Sequence, residues 1–430
     1  MSVATAVSPT VVKLFSPALA RSATARSLES DLDLLATLPT LESLSVFPDV
    51  LGEPPGIGVP VGVSFATSGP EALVVPNGVT DVNDGYRLER LDVSAAEIRS
   101  RARRIVDGLA SCSALEEPLS RQRAVAILRT GAAAVADELE GIWQRGAVDV
   151  DDIHSIGPDA FSTLRHTFGT FGRYGHFVEV LEVSSVVSTR CPVNEGDVVL
   201  VIHCGAMEVS DIVYWQAYFN FAESAATLDL VSSEHFVAGM FGLPVSHPIA
   251  QRFVDASSAV TNAAYAWRAS VAERVTAVMA NVLGRTIARE LLSDLPHNRL
   301  EVDDSQVLHA KGVQPLCARD ERTRCAIVCG GLGIHSYLVV PPAIGGAEVC
   351  HGAAHLHALD GSGVGVENIE ESLRSLELFG RVERAARLEP LLNFSGRPKP
   401  RLRYDLPGRQ IVRDLIVADE SLASHDQERR

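Results

Sequence analysis

A chain of 430 residues with 46% apolar side chains and a mean hydropathy of +0.13 can bury a large core, which excludes a mostly disordered protein. A formal net charge of −16 argues against a broad basic face for nucleic acid and leaves room only for a local basic groove. The seven cysteines lack paired spacing and fit reduced thiols in the cytoplasm; residues 1–30 hold no compact apolar run before a cleavage site, and no stretch of about 18–20 apolar residues is present to span a membrane.

Residues 1–43 read as a partly mobile lead-in. From Leu44 to Arg90, short apolar runs such as Ala72-Leu73-Val74-Val75-Pro76 are broken by Gly and Pro, which predicts strands and turns. Asp81-Val82-Asn83-Asp84-Gly85 falls in a loop between such runs, where Asp and Asn tolerate tight turns. Ser94 with Glu97 three residues on is a capping box for a helix from Ser94 to Leu109. A second long helix is expected over Arg121 to Arg145. Phe177 to Val187 alternates and is β-branched, a strand with His176 at its start. Asp197 to His203 predicts a buried strand ending at His203. A long Ala-rich helical region spans Val254 to Leu292 with a break near Gly284. Strand chemistry returns over Cys325 to Pro341, interrupted by Gly330-Gly331-Leu332-Gly333. Glu367 to Leu388 reads as helix and 397–430 as a polar tail. No linker separates the pieces, so 44–396 is expected to form one large domain of the α/β (mixed α+β) class, with central β-structure flanked by helices.

Several of these segments carry chemistry. In Cys350-His351-Gly352-Ala353-Ala354 the small neighbours leave the imidazole accessible and let a ligand approach the backbone. Asp81 and Asp84, three apart in a turn, can face one ion or simply cap their own turn. His176 is a ligand or a satisfied core histidine. His203 ends its strand beside Cys204 and Gly205, where sites are commonly built. His297, followed by Asn298 in a polar loop, is uninformative alone. Together these three histidines and two aspartates suffice for one or two divalent ions. The 330–333 glycines offer backbone N–H groups to a phosphate or form a tight turn; they lack the Lys-Ser/Thr ending of a P-loop. Lys311 is a cation near an anion or a surface lysine, and His355 and His357 are site or surface residues.

In this order the segments resemble the RtcB family of GTP-dependent, tRNA-splicing RNA ligases, over about Leu44 to Gly396. Asp81 to Gly85 resembles the family's Asp-x-x-Cys-Gly turn. Tyr174-Gly175-His176-Phe177-Val178-Glu179, preceded by Gly169-Thr170-Phe171-Gly172, resembles Gly-Asn-His-Phe-x-Glu. His203-Cys204-Gly205-Ala206-Met207 resembles His-Ser-Gly-Ser-Arg, and His297-Asn298 matches a His-Asn pair before a strand. Ala310-Lys311-Gly312-Val313 resembles Arg-Lys-Gly-Ala, Cys329 to Gly333 a Pro-Gly-Ser-Met-Gly turn, and His351-Gly352-Ala353-Ala354-His355 the motif His-Gly-Ala-Gly-Arg. Phe47-Pro48-Asp49-Val50 also fits.

The resemblance implies an enzyme that joins an RNA 3′-phosphate or 2′,3′-cyclic phosphate to a 5′-hydroxyl through a histidine–GMP intermediate, with Mn²⁺ and GTP. It makes His351 the nucleophile. Asp81, Asp84, His176, His203 and His297 would hold one or two ions, Asp84 replacing a bridging thiolate; Mg²⁺ or another divalent ion is an alternative. Glu179, Gly331, Gly352, Ala353 and Ser395 would contact the nucleotide, and Lys311, Arg268 and His355 the substrate. An archease-like activator is an implied partner, and the location cytoplasmic. The chain departs from the family at its phosphate-holding positions: Gly175 stands for an asparagine, Ser395 for a lysine, and Met207, Ala310 and His355 for arginines. Neutral side chains cannot replace bidentate arginine. Two other readings therefore stay open: a metalloenzyme repurposed for a small-molecule substrate, and an inactive binding protein.

Overall fold

The computed structural model describes residues 9–15, 28–51, 58–111, 117–135, 156–171, 176–303, 306–317, 325–330, 334–342, 346–350 and 366–395. The strands in chain order are β1 (Thr10–Lys13), β2 (Leu41–Leu51), β3 (Val61–Ser68), β4 (Leu73–Val74), β5 (Gly85–Leu91), β6 (Phe177–Val186), β7 (Val198–Cys204), β8 (Leu243–Pro244), β9 (Arg289–Pro296), β10 (Arg299–Val302), β11 (Gln306–Lys311), β12 (Val313–Cys317), β13 (Ala326–Val328), β14 (Ser336–Val340), β15 (Gly346–Cys350) and β16 (Glu383–Ser395). The helices are α1 (Glu29–Ala36), α2 (Ala95–Ser111), α3 (Arg121–Thr130), α4 (Gly157–Thr167), α5 (Met207–Leu228), α6 (Ser233–Ala238), α7 (Pro248–Leu283) and α8 (Val366–Leu378).

A seven-stranded sheet, β13-β14-β16-β6-β7-β5-β9, is the frame of the molecule, and a five-stranded sheet, β1-β2-β3-β11-β10, stands beside it. Both faces of the larger sheet are covered, so β7 is buried at every position and its alternation assigns side chains to two cores. Val198, Leu200, Ile202 and Cys204 join the helix-side core with α5 and α7, while Val199 and Val201 join the opposite core with Tyr86, Phe177 and Leu388. His203 has the parity of the second set and stacks on Tyr86 at 4.6 Å. The fold is mixed α+β, as the sequence predicts, and no described helix is long and apolar enough to cross a membrane.

The capping box forms as predicted: the Ser94 N–H donates to Glu97 at 2.8 Å and the Glu97 N–H to Ser94 Oγ at 3.2 Å. Where the lead-in is described it packs onto the domain, since β1 pairs with β2 and Leu28, Leu32 and Leu35 are core residues. Three expectations need correction. The helix from Arg121 stops at Thr130, because Gly131 takes φ 58°; residues 136–145 lie outside the described residues. The Ala-rich helix ends on left-handed Gly284, and the chain then forms β9 rather than more helix. Helix α8 stops at Leu378, and the second half of the segment predicted helical is β16, paired on both sides by β14 and β6. The polar tail lies outside the described residues.

Candidate metal centre

The antiparallel order β6-β7-β5-β9 brings four chain positions to one end of the sheet. Phe177 pairs with His203, and Gly85 pairs with both Cys204 and Pro296. His176 just before β6, His203 near the end of β7, Asp84 just before β5 and His297 just after β9 therefore meet. The 81–84 turn is held open to them by two left-handed residues, Asp81 at φ 49° and Asn83 at φ 61°. Gly205 permits the approach, since a Cβ there would lie 2.9 Å from Asp84 Cα.

The five side chains form two triads that share Asp84: Asp84, His203 and His297, and Asp81, Asp84 and His176. Asp84 Oδ1 accepts the Gly85 N–H at 2.8 Å, which turns Oδ2 toward the imidazoles. Around that one oxygen stand His176 Nε2 at 3.2 Å, His203 Nε2 at 3.3 Å and His297 Nε2 at 3.4 Å. His203 Nε2 and His297 Nε2 are 3.0 Å apart, and His176 Nε2 is 3.5 Å from Asp81 Oδ2. Although buried, Asp84 Oδ2, Asp81 Oδ1 and both ring nitrogens of His176 align with no hydrogen-bond partner among the described residues. Buried polar atoms left this way cost free energy unless something else satisfies them. Convergent nitrogen and carboxylate donors without aligned protons fit a divalent cation, and the shared Asp84 fits a bridge between two.

Electrostatics agree with that fit. Burial alone would raise the Asp84 carboxyl, but the facing imidazoles, His176 foremost, hold it well below the ordinary range. Burial would lower His176, and the two carboxylates, Asp84 first, hold it well above its usual value instead. Burial and the neighbouring Asp84 push Asp81 up to about 6. Burial, with the adjacent imidazoles adding to it, lowers His203 against the pull of Asp84. Without a cation the cluster is an uneven mixture of protonated and ionised groups.

A family model described as tRNA-splicing ligase RtcB matches residues 31–358. This chain belongs to the RtcB family. No curated protein matches it. The RtcB-family motifs that supply the five candidate ligands are thus gathered at one point in the fold.

The other predicted site residues divide. Glu179 is buried on β6, two positions along from Phe177, and Ser395 ends β16 in register with Phe177, at the same end of the sheet. His351, Gly331, Gly352, Ala353 and His355 lie outside the described residues, as does Gly175. Arg268 and Lys311, expected to touch substrate, are instead enclosed. Arg268 is 0% exposed; its Nε donates to Asp294 at 2.5 Å, and its Nη1 to the carbonyls of Asn83 at 2.7 Å and Cys204 at 3.0 Å. Lys311 Nζ donates to the Val59 carbonyl at 2.9 Å. Both cations therefore brace backbone. Arg268 grips the residues next to Asp84 and His203, a role the sequence hinted at only by placing one cation among Ala, Trp and Tyr.

Proposed function

We propose that this chain is a divalent-metal-dependent nucleotidyl transferase that joins RNA ends in the manner of its family. The observation that supports it is the convergence of three imidazole nitrogens on one buried oxygen of Asp84, with Asp81 beside His176. Asp84, His203 and His297 would hold one ion, and Asp81, Asp84 and His176 a second. Such ions supply neutralisation of phosphate charge and fixed in-line geometry. Carboxylates in place of a thiolate suit Mn²⁺ or Mg²⁺.

On this reading a ring nitrogen of His351 attacks the α-phosphorus of GTP, the bond to the β-phosphate oxygen breaks and pyrophosphate leaves. An RNA 3′-phosphate oxygen then takes the GMP from the histidine, and a 5′-hydroxyl displaces GMP to close the strand. The assignment of His351 rests on its place in the family's His-Gly-Ala-Gly-Arg motif. Strand β15 ends at Cys350 in register with Val313, whose N–H donates to the His297 carbonyl at 2.7 Å. His351, the next residue in sequence, lies outside the described residues.

A second reading, a metalloenzyme acting on a small molecule, draws on the basic residues. Ala310 replaces a family arginine, and its cross-strand neighbour Arg299 is engaged by Glu348 at 2.7 Å and Glu301 at 3.0 Å. Lys311 and Arg268 are enclosed too, and each of these three cations already directs donors to groups inside the protein, although Arg268 Nη2 and Arg299 Nε have no hydrogen-bond partner among the described residues. Intact-mass measurement after incubation with GTP and Mn²⁺ separates the readings. A gain of one GMP, lost in His351→Ala, supports the ligase; bound metal with no adduct leaves the small-molecule enzyme. An archease-like activator and a cytoplasmic location remain part of the first reading.

A further inference from the structure

Asn298 follows His297 and is itself buried. Its side-chain amide makes four contacts. Nδ2 donates to the Thr80 carbonyl at 2.8 Å and to the Asp81 carbonyl at 3.2 Å. Oδ1 accepts the Gly312 N–H at 2.8 Å and lies 3.1 Å from His297 Nδ1. Only one orientation of the amide satisfies these partners, because two are carbonyls that only accept and one is an N–H that only donates. Oδ1 therefore faces His297 as an acceptor, and His297 Nδ1 must carry the hydrogen. The lone pair of that ring is then on Nε2, the atom turned toward Asp84. Main-chain bonds reinforce the link: the Asn83 N–H donates to the Asn298 carbonyl at 2.8 Å, and the His297 N–H to the Asp84 carbonyl at 2.7 Å.

We propose that Asn298 is a positioning residue for both ion positions, one half of its amide fixing the coordinating nitrogen of His297 and the other half fixing the Asp81 turn. The inference rests on the metal-centre reading above. It gives the two halves separable consequences. A carboxylate at 298 still accepts from His297 Nδ1–H and from the Gly312 N–H. It has no hydrogen to donate to the Thr80 and Asp81 carbonyls and sets a negative charge against them. An alanine loses both halves.

The test is Mn²⁺ titration of the full chain, with bound metal counted by elemental analysis and coupled ion pairs detected by electron paramagnetic resonance. The parent is expected to take two ions and give a coupled signal. Asn298→Asp should keep the ion held by His203 and His297 and weaken the one at Asp81 by about 10–100-fold, leaving an uncoupled signal. Asn298→Ala should weaken both positions by about 10–100-fold. Melting in chelator, run in parallel, reports on folding alone. An Asn298→Asp protein that binds two ions with parent affinity overturns the inference, even if its melting temperature has dropped, since that outcome is a purely structural asparagine. Asn298→Asp and Asp81→Asn should resemble each other in ion count, which keeps the test decisive if Asn298→Ala fails to fold. A parent that takes up no Mn²⁺ at all overturns the metal-centre reading, and this inference with it.

Discussion

Replacing Arg268 with methionine tests whether the geometry of the metal centre is held from behind. Methionine keeps the length and apolar stem but removes three hydrogen bonds, two of them to the carbonyls of Asn83 and Cys204. Each charge-assisted bond to a buried group contributes about 1.5–3 kcal/mol. Asp294 keeps a partner, because Arg87 Nη1 also donates to it at 3.0 Å. The loss therefore falls near 5 kcal/mol, the upper part of the ~3–5 kcal/mol seen when one partner of a buried pair is removed. For 430 residues, unfolding entropy near 2.1 cal/mol/K per residue converts that to a fall of about 5–6 °C in Tm. Because the two carbonyls flank Asp84 and His203, Mn²⁺ affinity should fall too. Calorimetry with and without chelator, beside Mn²⁺ titration, reads both effects. A variant that melts within about 1 °C of the parent and binds Mn²⁺ normally, yet loses affinity for nucleotide or RNA, would refute the bracing role and restore Arg268 as a substrate contact.

Three further outcomes follow from the site. The double variant His203→Ala with His297→Ala should lose the ion of the first triad, and chelation should then lower its Tm by less than it lowers the parent's; a parent-like metal content would sink the ligand assignment. Asp81, raised to about 6, favours the folded metal-free chain while protonated, so in chelator its contribution is present below about 3.8 and lost as pH rises through about 6. Ion binding needs the ionised form, so the Mn²⁺-induced rise in Tm should shrink as pH falls through about 6, and a pH-independent rise would contradict this. Ser395→Lys with Gly175→Asn should increase GMP loading on His351 by intact mass if the chain is a guanylyltransferase, by returning a cation and a hydrogen bond to the nucleotide; no adduct in parent or variant would defeat that function.

What the sequence made legible was local. Ser94 and Glu97 announce their helix because both halves of the capping box lie within one turn. His203 was legible as a strand end because the apolar run before it is continuous. The misread segments are those where distant pairing overrode local preference. Arg289–Pro296 and Glu383–Ser395 are rich in Leu, Arg and Glu, which favour helix, yet each adds its strand to the large sheet. The enclosure of Arg268 and Lys311 was invisible for the same reason: Asp294 and Val59 become their neighbours only through the fold. Asn298 looked like a loop residue because its partners Thr80 and Asp81 are 218 and 217 positions away.

Those separations bear on how the protein is made. Asp84 cannot meet His203 and His297 until β5 has found β7 on one side and β9 on the other, and His176 arrives only when β6 closes on β7. Such long loops close late and slowly, and no nascent fragment ending before β9 holds all five donors. A pair of ions sharing Asp84 would therefore be captured only by a finished fold. Metal content then becomes an assay of maturation, and in any preparation the fraction of chains carrying ions would count those whose central strands have paired correctly.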